Sequence, residues 1–385
     1  MLFFASDIGS NVADALSSMN LWIAVCKSVF IILLGFILTK FKTMPDGTGK
    51  ILTKFVMMVS LPCLAFGSFM TSITKEKFDS ALFSFVYGFI VYIIFIFLAK
   101  GLFFWVKDKT KRTVLEVLFV FGSTTFFGQP LIKAVFPNAF NDSSMFNVAY
   151  RVFLYSYAYY VICGKTTNAE ENVDDVDDKK RGLSLPIVKD TLKKIFVNPI
   201  IIATFLGFIL WSLQLVGDST DSSNWWVVTV NGADNKAATG AFWNLSVSAP
   251  WLYQTINTLG SLSSPLVWFA IGCTLGKVSF KEAASDKMVW IYSSAKIVLA
   301  PLINFCLLLL INLIPGIKVT FDTVAATTLM WAVPPATVAV TYCINSNKES
   351  AFASSCSLIS TFVAVVFIPV YMILLTLIQN TGIFA

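Results

Sequence analysis

The sequence predicts an all-α polytopic membrane protein: ten TM helices as two inverted five-helix repeats, with broken, crossing helices in the fourth and ninth places. Three observations predict this. Ten apolar blocks reach spanning length, basic residues alternate sides from one connection to the next, and one long charged connection divides the blocks five and five. Of the 385 residues, 56% are hydrophobic and 13% charged, with a mean hydropathy of +0.75. Soluble domains average about 25% charged residues, so the implied solvent is lipid. A hydrocarbon core of roughly 30 Å takes about 20 apolar helical residues.

Residues 1–19 lack the basic start of a signal peptide and read as an N-terminal interfacial segment. The first repeat, 20–163, holds spans at 20–42, 51–73, 78–106, 113–136 and 144–163. Residues 164–195 include AEENVDDVDDKKRG and read as a solvated linker of mixed charge. The second repeat, 196–379, holds spans at 196–217, 251–275, 288–314, 320–344 and 351–379, and a tail follows at 380–385. The insertion 218–250 is polar with aromatic clusters at Trp225, Trp226 and Trp243; VVTVNG and FWNLSVS read as a small hairpin at the headgroups.

Nineteen Lys and Arg lie in the connections after odd-numbered spans or at the span ends that enter them (Lys40, Lys42 and Lys100), and four in the connections after even-numbered spans. By the positive-inside rule the odd connections, including the linker, are cytoplasmic and both termini extracellular. A multi-pass protein of the cell (plasma) membrane is expected. A five-span unit begins on one side and ends on the other, so a second copy must run inverted. Carriers built this way bind solute at the repeat interface near mid-bilayer.

Prolines fall at corresponding places in the two halves. The fourth span contains FGSTTFFGQPLIKAVF and the ninth MWAVPPATVAVTY. Proline removes a helical hydrogen bond, and in lipid the freed carbonyls must face protein or water. The paired placement marks a solute site at two helix breaks held by Pro130, Pro334 and Pro335.

Other classes are excluded by what is missing. The chain has no His, which removes His-based metal sites and Ser-His-Asp chemistry. Neither GxGD nor HExxH occurs, so no enzyme is expected. The seven Cys form no CxxC pair and read as reduced, buried hydrophobes. The net charge of +6 belongs to topology rather than to nucleic acid. No cofactor is expected.

Several runs resemble the auxin efflux carrier family, which includes plant PIN-FORMED carriers and bacterial malate or malonate permease-like proteins. They are TKFVMMVSLPCLAFGSF in the second span, GQPLIKAVFP in the fourth, FVNPIIIATFLGFIL opening the sixth, and PPA in the ninth. The resemblance covers about 20–163 and 196–379. It implies a support domain of helices 1, 2, 6 and 7 and a transport domain of helices 3–5 and 8–10. Broken helices 4 and 9 would cross at their prolines with substrate alongside. A homodimer would fit the resemblance, although no dimer face is readable. Where the family has Asn five residues before the Gly of G-x-P, this chain has Ser123, then Thr124 and Thr125. A hydroxyl can still donate to a carboxylate, in different geometry.

Lys27, Lys54, Lys133, Arg151 and Lys296 fall within spans, and no Asp or Glu occupies the centre of one. Intramembrane charges are costly and mark function by default. Lys54 snorkels to an end. Lys133 either snorkels outward or lines an anion route. Asn147 and Arg151, four residues apart, form a polar wall facing the break, or Arg151 pairs structurally with Glu116. Lys27 and Lys296 pair with backbone carbonyls or face the cavity. Cations without central carboxylates favour an anionic solute, as do half-helix N-termini. The expected substrate-binding residues are Ser123, Thr124, Thr125, Gly128, Gln129, Pro130, Asn147, Arg151, Pro334, Pro335 and Thr337. The expected activity is transport of small organic anions, carboxylates such as malate, malonate or auxin-like acids, by alternating access. The alternatives are a sodium-coupled symporter of the bile-acid type and an ion channel.

Overall fold

The computed structural model describes residues 19–45, 47–163, 197–217, 223–231, 237–276 and 280–384. The expected interfacial segment (bar Met19) and the linker 164–195 lie outside the described residues, as do parts of the insertion. In chain order the helices are α1 (Met19–Lys40), α2 (Thr48–Ser68), α3 (Lys75–Leu102), α4 (Lys109–Val120), α5 (124–135), α6 (140–163), α7 (Pro199–Val216), α8 (Pro250–Thr274), α9 (Lys287–Asn312), α10 (Phe321–Trp331), α11 (Thr337–Asn345) and α12 (Ser350–Thr381).

Six of these, α2, α3, α7, α8, α9 and α12, are long and apolar enough to cross a bilayer, and Phe30–Lys40 is a shorter apolar stretch of α1. The expected fourth and ninth spans fall short because each is cut into two helices, α4 with α5 and α10 with α11. The fifth opens with the polar run FNDSSMFN, which lowers its hydropathy.

Local sequence sets the helix starts. Asp108 caps α4, its Oδ1 accepting from the Thr110 and Lys111 amides at 2.7 and 3.1 Å. Asn198, Asp286 and Thr320 cap α7, α9 and α10 in the same way. Among the described residues four helices widen into π-turns, at 56–60, 124–128, 154–158 and 295–299, and three of these turns are followed two residues later by a proline: Pro62, Pro130 and Pro301. A proline clashes with the carbonyl four residues before it. In all three cases that carbonyl lies inside the π-turn, where the extra residue gives it room. Pro130 therefore widens a helix rather than breaking it. The chain is interrupted earlier, at 121–123.

Two groups of helices emerge from the packing. In one, α8 lies against α1 and α2, and α7 against α2. In the other, α3 packs on α6, and α9 on α10 and α12. The α1–α8 contact is close enough that a Cβ on Gly272 would collide with the Ile32 carbonyl. Tyr92, Phe95, Phe119 and Phe121 gather around Trp331 in the second group, and the Phe95 and Trp331 rings stack at 3.7 Å between centroids.

The insertion contains a hairpin of β1 (Val227–Asn231) and β2 (Ala237–Ala241), antiparallel. The first strand lies where the sequence placed it. The second is AATGA rather than FWNLSVS, because Asn244 caps a helical turn at Leu245–Ser248. Trp226 and Trp243 stack at 5.2 Å.

Candidate functional site

The two interrupted segments meet. The Ser123 amide donates to the Pro334 carbonyl at 2.7 Å, and the Ala336 amide to the Phe121 carbonyl at 2.8 Å. Gly122 and Pro335 thus form an isolated antiparallel bridge. Each break frees backbone groups that cannot be left bare in lipid, and the bridge satisfies four of them. Gly122 is required by the approach: a Cβ there would stand 2.6 Å from Val333 Cγ2 and 3.1 Å from Lys296 Nζ.

The C-terminal carbonyls of α4 find partners on α9. Tyr292 donates to the Leu118 carbonyl at 3.0 Å and Lys296 Nζ to the Phe119 carbonyl at 2.7 Å. Lys296 is fully buried, has no carboxylate partner among the described residues, and lies 5.1 Å from the centroid of Trp331. An ammonium at a helix C-terminus complements the partial negative charge there. Of the two readings the sequence left open for Lys296, the structure shows pairing with backbone carbonyl.

The opposite ends of the breaks are helix N-termini. Neither α5 nor α11 has a side-chain cap. Their first residues, Ser123, Thr125, Phe126, Ala336, Thr337 and Val338, line a recess of about 50 Å³ together with Arg151 and Tyr155. Arg151 is 3% exposed. Its guanidinium donates to Thr125 Oγ1 at 3.0 Å, and no carboxylate pairs with it among the described residues. Glu116, the partner considered from sequence, lies instead 3.8 Å from Arg112.

The recess adjoins a larger cavity of about 640 Å³; Thr53, Met57, Ser123, Phe126 and Thr337 line both. Its walls come from α2, α5, α8, α11 and α12 and are mainly apolar, with Met57, Met58, Phe127, Ile271, Val340 and Leu358 among them. Lys50 and Lys54 of α2 bring positive charge to it.

A family model described as membrane transport protein matches residues 21–221 and 237–372. The chain belongs to this family, the auxin efflux carrier family. No curated protein matches it.

This transporter distributes the eleven sequence-predicted site residues unevenly. Ser123, Pro334, Pro335 and Thr337 line the large cavity, and Ser123, Thr125, Thr337 and Arg151 the recess. Thr124 and Asn147 stand behind: Thr124 donates to Asn147 Oδ1 at 2.6 Å, and Asn147 Nδ2 donates to Thr125 Oγ1 at 3.0 Å. Gly128, Gln129 and Pro130 line neither cavity. Gly128 faces Met330, the Gln129 amide donates to Ser144, and the Pro130 carbonyl accepts from Ser264 of α8.

Sequence reasoning missed Thr53, Met57 and Tyr155 on the recess. It assigned Lys54 to an end of a span and did not connect it with the site. A basic residue one turn from Met-Met on a predicted helix was the available signal. It also left Asp142, 3% exposed on α6, two residues outside the expected start of the fifth span at 144.

Proposed function

We propose that this transporter carries small organic anions, with the carboxylate in the recess and an apolar body in the larger cavity. The observation that carries the reading is Arg151: a buried guanidinium without a carboxylate partner among the described residues, beside two uncapped helix N-termini. Each of these features attracts negative charge, and guanidinium suits a carboxylate's planar fork. A cavity of about 640 Å³ falls within the size of small-molecule sites. Its apolar walls favour an acid with an aromatic or aliphatic body over a compact dicarboxylate.

In this reading α4 with α5 and α10 with α11 each form one interrupted span, giving ten spans in two inverted repeats. The group of α1, α2, α7 and α8 is the support, and the rest moves against it in alternating access. The lysine-lined cavity faces the cytoplasm, the termini lie outside, and the protein resides in the plasma membrane.

The test is counterflow in proteoliposomes. Vesicles preloaded with an aromatic monocarboxylate should accelerate and transiently concentrate labelled acid from outside, with saturation. The matching neutral amide should neither exchange nor compete. Equal exchange of acid and amide would end the anion reading, and non-saturating flux with unitary currents would identify a channel.

A further inference from the structure

On the side of the crossing away from Lys50 and Lys54 lies a second, smaller cavity of about 180 Å³, and Asp142 of α6 lines it. Asp142 is 3% exposed and has no basic partner within ion-pair distance among the described residues. Burying an unpaired carboxylate costs several kcal/mol. Only hydroxyls offset that cost here. Asp142 Oδ2 accepts from Ser80 at 2.5 Å, Thr323 at 2.6 Å and Ser84 at 3.1 Å. Ser80 also lies 2.5 Å from Thr320 and 3.2 Å from Thr323, yet it holds a single hydroxyl hydrogen. The cluster therefore has more close oxygen pairs than its hydroxyls can bridge, and one further proton relieves the shortage.

The spacing suits a proton better than a metal ion. A hard cation such as calcium holds its oxygens at about 2.3–2.6 Å, which spaces adjacent ligands from separate side chains by roughly 2.8 Å or more. Three oxygen pairs here, Ser80 with Asp142, Ser80 with Thr320 and Thr323 with Asp142, stand only 2.5–2.6 Å apart, the range of short O–H···O bonds. The titratable groups around the cluster are Asp322 of α10, Lys77 of α3, Lys133 of α5, Tyr253 of α8 and Cys63 of α2, all lining the same cavity. Glu76 and Asp79, in the first turns of α3, are exposed.

Three helices converge on Asp142: α3 through Ser80 and Ser84, α10 through Thr320 and Thr323, and α6 itself. Asp142 and Arg151 are nine residues apart on α6, roughly 13 Å along the axis at 1.5 Å per residue. One rigid helix thus joins the proposed anion recess to this carboxyl group, and α10 leads from Thr323 to the second break.

We propose that Asp142 is a proton-binding site, loaded from water in the 180 Å³ cavity, and that its proton crosses the membrane together with the anion. An O–H bond forms on the carboxylate when the cavity is open to water and breaks when the cluster opens to the other side. The coupling rests on the anion-carrier reading above; the proton site does not.

The experiment has two arms. Infrared difference spectra of purified protein across a pH titration should show a protonated-carboxyl band. Asp142→Asn should remove that band, and Thr323→Val should move it to higher frequency because a donor to the group is lost. If both variants give the wild-type spectrum, the site is overturned. In proteoliposomes, an inward proton gradient of one unit should drive about tenfold accumulation of the acid by the wild type, and no gradient-dependent accumulation by Asp142→Asn. Equal gradient-driven accumulation by both overturns the coupling. So does accumulation driven by sodium at equal pH in the wild type and lost in the variant, because the bound ion is then sodium. Absence of wild-type counterflow would sink the anion reading instead, and the infrared arm would still decide Asp142.

Discussion

The two interruptions share a backbone solution and differ in chemistry. Residues 121–125 carry a glycine and three hydroxyls, and α6 places Asn147 and Arg151 behind them in a connected set of hydrogen bonds. Residues 332–336 are Ala-Val-Pro-Pro-Ala, and their side chains offer neither donor nor acceptor. The same antiparallel bridge ties one to the other. In the proposed reading, recognition is thus concentrated in the first half of the chain, while the second supplies a stiff partner for it. Even the one cation contributed by the second half at the crossing, Lys296, is directed to the Phe119 carbonyl of the first. Architectural symmetry does not require symmetric function: a backbone crossing needs two breaks, but one guanidinium suffices for one carboxylate.

The largest effect should come from breaking what the two share. Gly122→Ala places a methyl 2.6 Å from Val333 Cγ2, and overpacking of this kind costs about 1–3 kcal/mol. Counterflow should fall to background, with a lower unfolding temperature in detergent. Adding Val333→Ala should restore part of both. No rescue would mean that the glycine is needed for something other than the close approach.

Arg151→Gln tests the difference between the halves. Hydrogen bonds to charged groups are worth about 1.5–3 kcal/mol, so the half-saturation concentration should rise roughly 10- to 100-fold. Thr337→Val, which removes the hydroxyl at the start of α11, should raise it only about threefold, the worth of a neutral bond. Equal losses from the two would show that recognition is shared.

The sequence made the broken helices legible because proline and glycine act through local backbone sterics, which need no tertiary knowledge. It did not make the break's position legible. Pro130 looked like the cause, yet its clash is absorbed in the π-turn at 124–128, and the interruption at 121–123 depends on Val333 and Pro334 from the far end of the chain. Arg151 was legible as a costly intramembrane cation, but whether Glu116 satisfied it was a question of distance. Asp142 escaped because hydropathy places polar residues outside a span, and only packing of α3, α6 and α10 buries it. The family was legible from motif order, the TKFVMMVS run of α2 included, but motif order does not show that Thr53 and Met57 of that run meet Ser354 and Leu358 of α12 around one cavity. A related prediction follows. Pro335→Ala, at the bridge, should lower transport severalfold, on the order of 1 kcal/mol for freed backbone. Pro130→Ala, in the widened turn, should change it less than about twofold. The reverse ranking would move the crossing's rigidity back to the fourth span.

The smallest effect concerns charges that lie outside both interruptions. Lys50 and Lys54 sit on α2, in the group of helices that holds neither break, and line the 640 Å³ cavity. Exposed charges at an entrance raise the encounter rate of an oppositely charged solute, and salt screens them with a length of about 10 Å at 0.1 M. The double variant Lys50→Gln, Lys54→Gln should therefore lose about two- to fivefold in initial rate at low ionic strength. Raising salt should erase the difference, because the wild type slows toward the variant. The maximal rate at saturating acid should stay the same, since steering alters arrival and not the bound complex. A loss that persists at high salt would mean that one lysine touches the bound anion. Recognition would then be divided between the first interruption and α2, and the contrast between the two halves would become a contrast between the two groups of helices.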